Sequence, residues 1–399
     1  MDYFDGLKSE EYQRVMDLEL SKVLQAIDKH PGITRKQLIK LLKFRPSSVS
    51  TYVYTLLHKN LIYEGKIIKK PTKGRPEVPL LVRKQRYLVI SIYTISNQIY
   101  GVLFNLNHEI MMKISRKVKS NITTSQLSNL FVEMVNELKS FEIGDLGYKV
   151  EIIGAGFSIY GKVNNPAKIL VTTSRWNNVT NLDLKEVEKK TGLTISVYST
   201  LEAQLNQLVM EKPKFLEYGT LMYHWGYGVG ACFMLNGQPI FSENGSIVEV
   251  GHMNYVPSST KQCFCGRKGC IETECAIWAL IKEHDEVGYP EDELEFQEFV
   301  KNIDIEKHPE LSDSSYVAAY GLNALYQIFY PKNIVLYSPF LSNEKIKEKF
   351  LSNFKKNLPL DSPQNINIEY IDASYHEEIF GSTNSLVLDK LHSDMVVIS

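Results

Sequence analysis

The sequence predicts an α/β protein: a winged helix-turn-helix over residues 1–85, then a two-lobed body over residues 86–210 and 211–399. Three observations predict it. Apolar residues recur at helical spacing in three short stretches that run into a basic hairpin. Strand and helix patterns then follow in the order βββαβα. Positive charge is concentrated in the first part alone. The full chain has 45 Lys and Arg against 46 Asp and Glu, a net charge of −1. Between Ile33 and Arg86, however, fourteen basic residues face only Glu64 and Glu77, a local charge of +12 that leaves −13 on the remainder. Such asymmetry points to a polyanionic partner for the N-terminal part.

The first helix is expected from about Glu11 to His30, with Val15, Leu18, Leu20, Val23, Leu24 and Ile27 on its apolar face, and Pro31-Gly32 ends it. Thr34 is placed to N-cap a second helix carrying Leu38, Leu41 and Leu42. After a break at Phe44-Arg45, Pro46 opens a third helix reaching about Lys59, with Val49, Tyr52, Val53, Leu56 and Leu57. A strand near Leu61 and Tyr63 and a basic hairpin over Lys66–Val82 complete the module.

From Tyr87 the period changes. Tyr87–Ile95, Gln98–Asn105 and Glu109–Val118 read as consecutive strands, followed by a helix over Thr124–Phe141 and the strand Glu151–Ile159. A helix over Asp183–Thr191, the strand Thr194–Tyr198 and a helix over Leu201–Met210 follow. This order suits an actin-like (ribonuclease-H-like) lobe of the sugar-kinase type. A second half begins near Gly219 with two strands around a Gly-rich turn and ends with helices and the strand Asn333–Tyr337. No run is long and apolar enough for a membrane span, and the polar start MDYFDGLKSEEYQ does not read as a secretory signal. The expected compartment is the cytoplasm.

In the third helix, Arg45-Pro46-Ser47-Ser48-Val49-Ser50-Thr51 puts small polar side chains on the first turn, the end of a recognition helix that meets base edges in the major groove. Ser47, Ser48, Ser50 and Thr51 suit bases or phosphates, and the helix N-terminus favours a phosphate. Arg45 is the candidate for reading a guanine or gripping phosphate, with Arg35 beside it on the preceding helix. Lys69, Lys70, Lys73 and Arg75 on the wing suit the backbone or the minor groove. The expected partner is double-stranded operator DNA. The plainer alternative is a packing module with a solvated basic face. Tyr52 and Tyr54 read as core or wing-packing residues.

The sharpest chemical signal is His252 with Cys263, Cys265 and Cys270, in Gly251-His252 and Cys263-Phe264-Cys265-Gly266-Arg267-Lys268-Gly269-Cys270. Three thiolates and an imidazole make a closed tetrahedral Cys3His zinc site, with no open position and hence a structural role. Gly266 and Gly269 allow the turn that returns Cys270 to the Cys-x-Cys pair. The alternative is a set of buried free thiols. Cys232 and Cys275 read as core thiols. Three clustered cysteines out of five in a long chain suggest metal in a reducing compartment.

These residues resemble the ROK family (repressors, open reading frames and sugar kinases), whose signature pairs Glu-x-Gly-His with Cys-x-Cys-Gly-x-x-Gly-Cys-x-Glu. Here they are Glu249-Val250-Gly251-His252 and the run from Cys263 to Glu272. The resemblance extends to Gly154-Ala155-Gly156, Gly161-Lys162-Val163, Trp176-Asn177 as in the xylose-repressor subgroup, and Gly74-Arg75-Pro76 on the wing. It implies a sugar site that includes Glu249, His252 and Glu272, with His252 serving metal and ligand through its two ring nitrogens. It adds Gly161, Trp176, Asn177, Ser199 and Thr200 as effector contacts, and dimerisation helices in the second lobe.

The departures bear on activity. The family's Asn-Asp pair, whose Asp is the kinase general base, falls on Ser199-Thr200, and a threonine hydroxyl is a poor base near neutral pH. The phosphate-binding Asp-x-Gly-Gly-Thr element falls on Tyr93-Thr94-Ile95-Ser96-Asn97. A second glycine loop survives in outline as Gly226-Tyr227-Gly228-Val229-Gly230. Glu202 reads either as a substitute carboxylate or as a solvated helix residue. The expectation is a non-enzymatic, dimeric, DNA-binding repressor of carbohydrate genes with a sugar-type effector. The alternatives are an active sugar kinase with a DNA-binding head, and a regulator controlled by a protein partner.

Overall fold

The computed structural model describes residues 15–67, 77–95, 98–173, 175–176, 178–242, 245–246, 248–359, 366–374, 376 and 378–394. Helices Val15–Lys29, Arg35–Leu42 and Pro46–His58 are accompanied by the short strands Ile33–Thr34, Ile62–Glu64 and Pro79–Val82. The strand Pro79–Val82 is central and pairs antiparallel with both others. This is the element order of a winged helix. Thr34 caps the second helix through a full capping box with Gln37, and Lys43 leaves it in the left-handed conformation, which sets the turn before Pro46. Leu20, Val23, Leu24, Ile27, Leu38, Val49, Val53 and Leu56 are fully buried and form the head's core. Leu41, expected on the apolar face, is half exposed, and Tyr54, read as core or wing-packing, is exposed and so not in the core. Tyr52 is buried, and its hydroxyl donates to Glu19 at 2.5 Å.

Two five-stranded sheets follow, and their orders correspond. The first runs Ile195–Ser199, Glu151–Ile159, Tyr87–Ile95, Gln98–Asn105, Ile110–Lys117. The second runs Asn367–Ile371, Asn333–Tyr337, Thr220–Trp225, Val229–Leu235, Gln238–Pro239. In each, the central strand has an antiparallel hairpin partner on one side and a parallel strand on the other. The central strand Tyr87–Ile95 is buried almost throughout, as its unbroken apolar run requires, whereas the edge strand Ile110–Lys117 alternates toward solvent.

The chain folds as two compact units. Unit one holds the head, the first sheet with residues Leu182–Val197, and the chain from Ser382 onward. Unit two holds Ile159–Asn181 and Tyr198–Gly381. The division differs from the bounds read off the sequence, which assigned Ile159–Asn181 to the first lobe and the C-terminal helix Asn384–Asp394 to the second. That helix buries Val387 and Leu391 within unit one, and Gly156 admits the backbone there: a Cβ on it would lie 2.5 Å from the Ser382 carbonyl oxygen. In unit two, Trp225 stacks on Phe340 and Phe350 at 4.0 and 5.5 Å and donates its Nε1 hydrogen to the Cys275 carbonyl. Cys232 and Cys275 are buried core thiols. Among the described residues no helix is long and apolar enough to cross a membrane.

Candidate functional site

The head presents the end of the Pro46–His58 helix openly. Arg45, Ser47, Ser50 and Thr51 are exposed and Ser48 is half-buried. No side chain caps this helix, so its first amides lack an internal side-chain partner. Ser50 donates its hydroxyl to the Pro46 carbonyl at 2.9 Å, which leaves only its lone pairs for a partner. Arg35 is held by Glu64 at 2.8 Å. The wing residues Lys69, Lys70, Lys73 and Arg75, together with Gly74 and Pro76, lie outside the described residues.

A cleft of about 780 Å³ lies wholly within unit two. The sequence-predicted Gly161, Ser199, Thr200, Glu249, His252 and Glu272 all line it. Trp176 does not: it is 1% exposed and packed inside the segment that leads to Val179. Asn177 lies outside the described residues. Ser199 N-caps the helix Thr200–Glu211, and Glu202 closes the capping box by accepting the Ser199 backbone hydrogen at 3.0 Å. Glu202 is thus not solvated; it is 2% exposed, and burial pushes its carboxyl pKa up. Thr200 is 3% exposed, and its hydroxyl has no hydrogen-bond partner among the described residues.

His252 Nδ1, Cys263, Cys265 and Cys270 converge at the cleft's edge, each ligand atom within 4.8 Å of the others. The Cys263 sulfur lies 3.5 Å from His252 Nδ1, and the Cys265 and Cys270 sulfurs are 3.6 Å apart. A tetrahedral ion bound at about 2.3 Å to sulfur and about 2.0–2.1 Å to nitrogen needs edges of about 3.6–3.8 Å, so the set fits a metal ion. Gly266 and Gly269 both have positive φ, and a Cβ on Gly269 would lie 2.0 Å from the Val256 carbonyl oxygen. The other ring nitrogen, Nε2, is 4.0 Å from Glu249, whose carboxylate also pairs with Lys162 at 3.3 Å. Glu272 Oε1 sits 3.4 Å from His252 Nδ1, and burial raises the Glu272 carboxyl pKa.

Sequence reasoning missed a further group of residues on the same cleft. Arg175, only 6% exposed at its side chain, stacks over Tyr227 at 3.9 Å and pairs with Glu291 at 3.5 Å. Glu293, the first residue of the helix Glu293–Lys301, accepts the Tyr227 backbone hydrogen at 2.6 Å. Its two oxygens lie 3.1 and 3.2 Å from His224 Nε2. Burial alone would raise this carboxyl, but His224, the Tyr227 N–H and Arg175 outweigh it and hold it down at about 2. No single motif marks this group, because Arg175, the His224–Tyr227 stretch and the Glu291–Glu293 stretch come from three separate parts of the chain.

The family model that matches is that of the ROK family, over residues 91–379. The chain belongs to the ROK family. Among curated ROK relatives, the DNA-binding transcriptional repressor Mlc of Escherichia coli is 21% identical over 65% of this chain and 63% of its own length. The match thus spans less than two thirds of Mlc. The xylose repressor of Bacillus subtilis is 24% identical over 79% of this chain and 80% of its own length. Among solved structures, a ROK family transcriptional regulator described as a homolog of E. coli Mlc covers 96% of this chain and 99% of its own, at TM-score 0.72 and 18% identity. The ROK hexokinase of Thermus thermophilus covers 76% of this chain at TM-score 0.59 and 17% identity. Both structures share the mixed α/β fold described above.

Proposed function

We propose that this ROK protein is a sugar-responsive, DNA-binding transcriptional repressor without kinase activity. The ROK repressors it resembles support a transcriptional role. The observation that carries the reading is the head: a winged-helix module with an exposed, uncapped recognition-helix end, in a region of charge +12, on the same chain as a ROK body. In this reading Arg45 reads a base, and Ser47, Ser48, Ser50 and Thr51 contact bases or phosphates. Arg35 and the wing residues Lys69, Lys70, Lys73 and Arg75 grip the backbone. Two heads related by a two-fold axis read the halves of a palindromic operator, so the working form is a cytoplasmic homodimer.

The effector site is the cleft of unit two. Thr200 offers a buried hydroxyl without an internal partner, and Glu249, His252 Nε2 and Glu272 supply directional groups suited to sugar hydroxyls. Gly161, Trp176, Asn177 and Ser199 complete the proposed effector shell, Trp176 from behind the wall rather than as lining. Zinc is the metal that best suits three sulfurs and an imidazole at tetrahedral spacing. Held by His252, Cys263, Cys265 and Cys270, it would fix the knot and orient the His252 ring. Ser199 and Thr200 provide no general base.

The test is gel shift of the full-length protein on fragments from its own genome, with and without a sugar panel. A fragment bound at modest salt and released or tightened by one sugar is the expected result. Failure to bind any fragment, with sugar-dependent nucleotide consumption instead, would replace the repressor reading with the kinase one.

A further inference from the structure

We propose that Glu293 is a built-in anion that occupies the glycine turn Gly226-Tyr227-Gly228, so that the cleft refuses phosphate-bearing ligands and selects an unphosphorylated effector. A tight turn flanked by glycines between two strands, with a backbone N–H aimed inward, is a concavity suited to an anion. Here that place is taken. The Glu293 carboxylate accepts the Tyr227 N–H at 2.6 Å and His224 Nε2 at 3.1–3.2 Å, and it accepts from the Tyr337 hydroxyl at 3.4 Å. Gly226 is what allows the approach: a Cβ there would fall 2.3 Å from Glu293 Oε1. Asp292 caps the same helix through the Leu294 and Glu295 amides, so Glu293 is free to reach across to the turn.

The surrounding charges reinforce the block. Lys162 faces Glu249 at 3.3 Å, Arg175 faces Glu291 at 3.5 Å, and Arg267 is hydrogen-bonded to Cys265. Each of these three cationic lining residues therefore already has a partner. An incoming phosphate would meet the carboxylates of Glu249, Glu272 and Glu293 with its usual counter-charges engaged. The uncharged hydroxyls of a free sugar meet no such penalty. The consequence for effector class rests on the effector reading above, but the plug itself does not.

The experiment titrates inorganic pyrophosphate and ADP into full-length wild type, Glu293→Ala and Glu293→Gln, by calorimetry and by melting temperature. Wild type is expected to show no binding at millimolar pyrophosphate. Glu293→Ala, which vacates the turn, is expected to bind it at least about tenfold more tightly than wild type. Glu293→Gln, which removes the charge and keeps the volume, is expected to fall between them. Wild-type protein that binds pyrophosphate or ADP as well as the variants do overturns the proposal. So does a folded Glu293→Ala that stays indifferent, and if that variant fails to fold, an indifferent Glu293→Gln decides in its place. A sugar panel on wild type runs in parallel. Silence there removes the effector reading, while the pyrophosphate result still judges the plug.

Discussion

Thr200→Val separates stability from binding, because the two should move in opposite directions. The substitution keeps the branched shape and removes only the hydroxyl. That hydroxyl sits on a residue 3% exposed and has no partner among the described residues. A buried hydroxyl left unpaired costs about 1–3 kcal/mol, so its removal should stabilise the ligand-free protein by about 1 kcal/mol. Unit two spans roughly 200 residues. At about 2.1 cal/mol/K per residue its unfolding entropy is about 0.4 kcal/mol/K, which converts the gain to a rise of about 2 °C in melting temperature. If the effector supplies the missing partner, the same change removes one hydrogen bond worth about 1 kcal/mol, and affinity falls about fivefold. Differential scanning calorimetry of the free protein gives the first number, and titration of the responsive sugar gives the second. A variant that melts several degrees lower, or that binds the sugar as wild type does, refutes the reasoning: the hydroxyl would then be satisfied in the free protein, or aimed elsewhere.

Cys270→Ser should abolish stoichiometric metal by elemental analysis and lower the melting temperature, since a buried ligand of the set is lost; unchanged metal content would remove the Cys3His site. Arg45→Ala should weaken binding to the operator by about 1–3 kcal/mol and to random DNA by less, read by gel shift on both; equal losses would mean that Arg45 grips only phosphate. The depressed Glu293 carboxyl carries a pH signature. Its contribution to stability is full above the unfolded carboxyl value near about 4.3 and is lost as pH falls through the folded value of about 2. Glu293→Gln should therefore flatten the acid limb of a melting-temperature profile, and an unaltered limb would show that the pair does not govern it.

Much of the fold was legible because it is written locally. Thr34 and Thr123 each sit three residues before a Gln, and both make capping boxes that start helices where the spacing placed them. The strands Tyr87–Ile95, Gln98–Asn105 and Glu151–Ile159 carry apolar runs bounded by turn residues, and all three appear with the expected bounds. The cysteine knot was legible for the same reason, since its ligands lie close in sequence and its glycines have no other use. Ser199-Thr200-Leu201-Glu202 carries the same capping-box spacing, and the Ser199 amide donating to Glu202 shows that the carboxylate is used in that way. What escaped was decided by distance along the chain. The sequence does not mark Gly156 as the place where the chain near Ser382 returns to the first sheet. Trp176 reads as a ligand contact from the subgroup it resembles, whereas its side chain is 1% exposed and is not among the cleft's lining residues.

The residues that depart from the kinase pattern share a physical feature that bears on the proposed loss of kinase activity. Where the resemblance places a phosphate-binding Asp, Tyr93 is 2% exposed and stacked on Tyr100 at 5.2 Å. Where it places a second phosphate loop, Glu293 already bonds the turn. Where it places the Asn-Asp pair, Ser199 and Glu202 satisfy each other across a helix start. A site that had merely decayed would strand polar groups, each costing about 1–3 kcal/mol if buried. At the glycine turn and at the helix start, the chain's own carboxylates take up the backbone donors. Thr200 alone among these keeps an unmet hydroxyl, and it lines the cleft on the same wall as Ser199. A receptor requires a cleft with an unmet hydrogen bond, whereas a kinase requires in addition open phosphate-facing groups. In the proposed reading the cleft keeps the first, while Glu293 and Glu202 take up groups of the second.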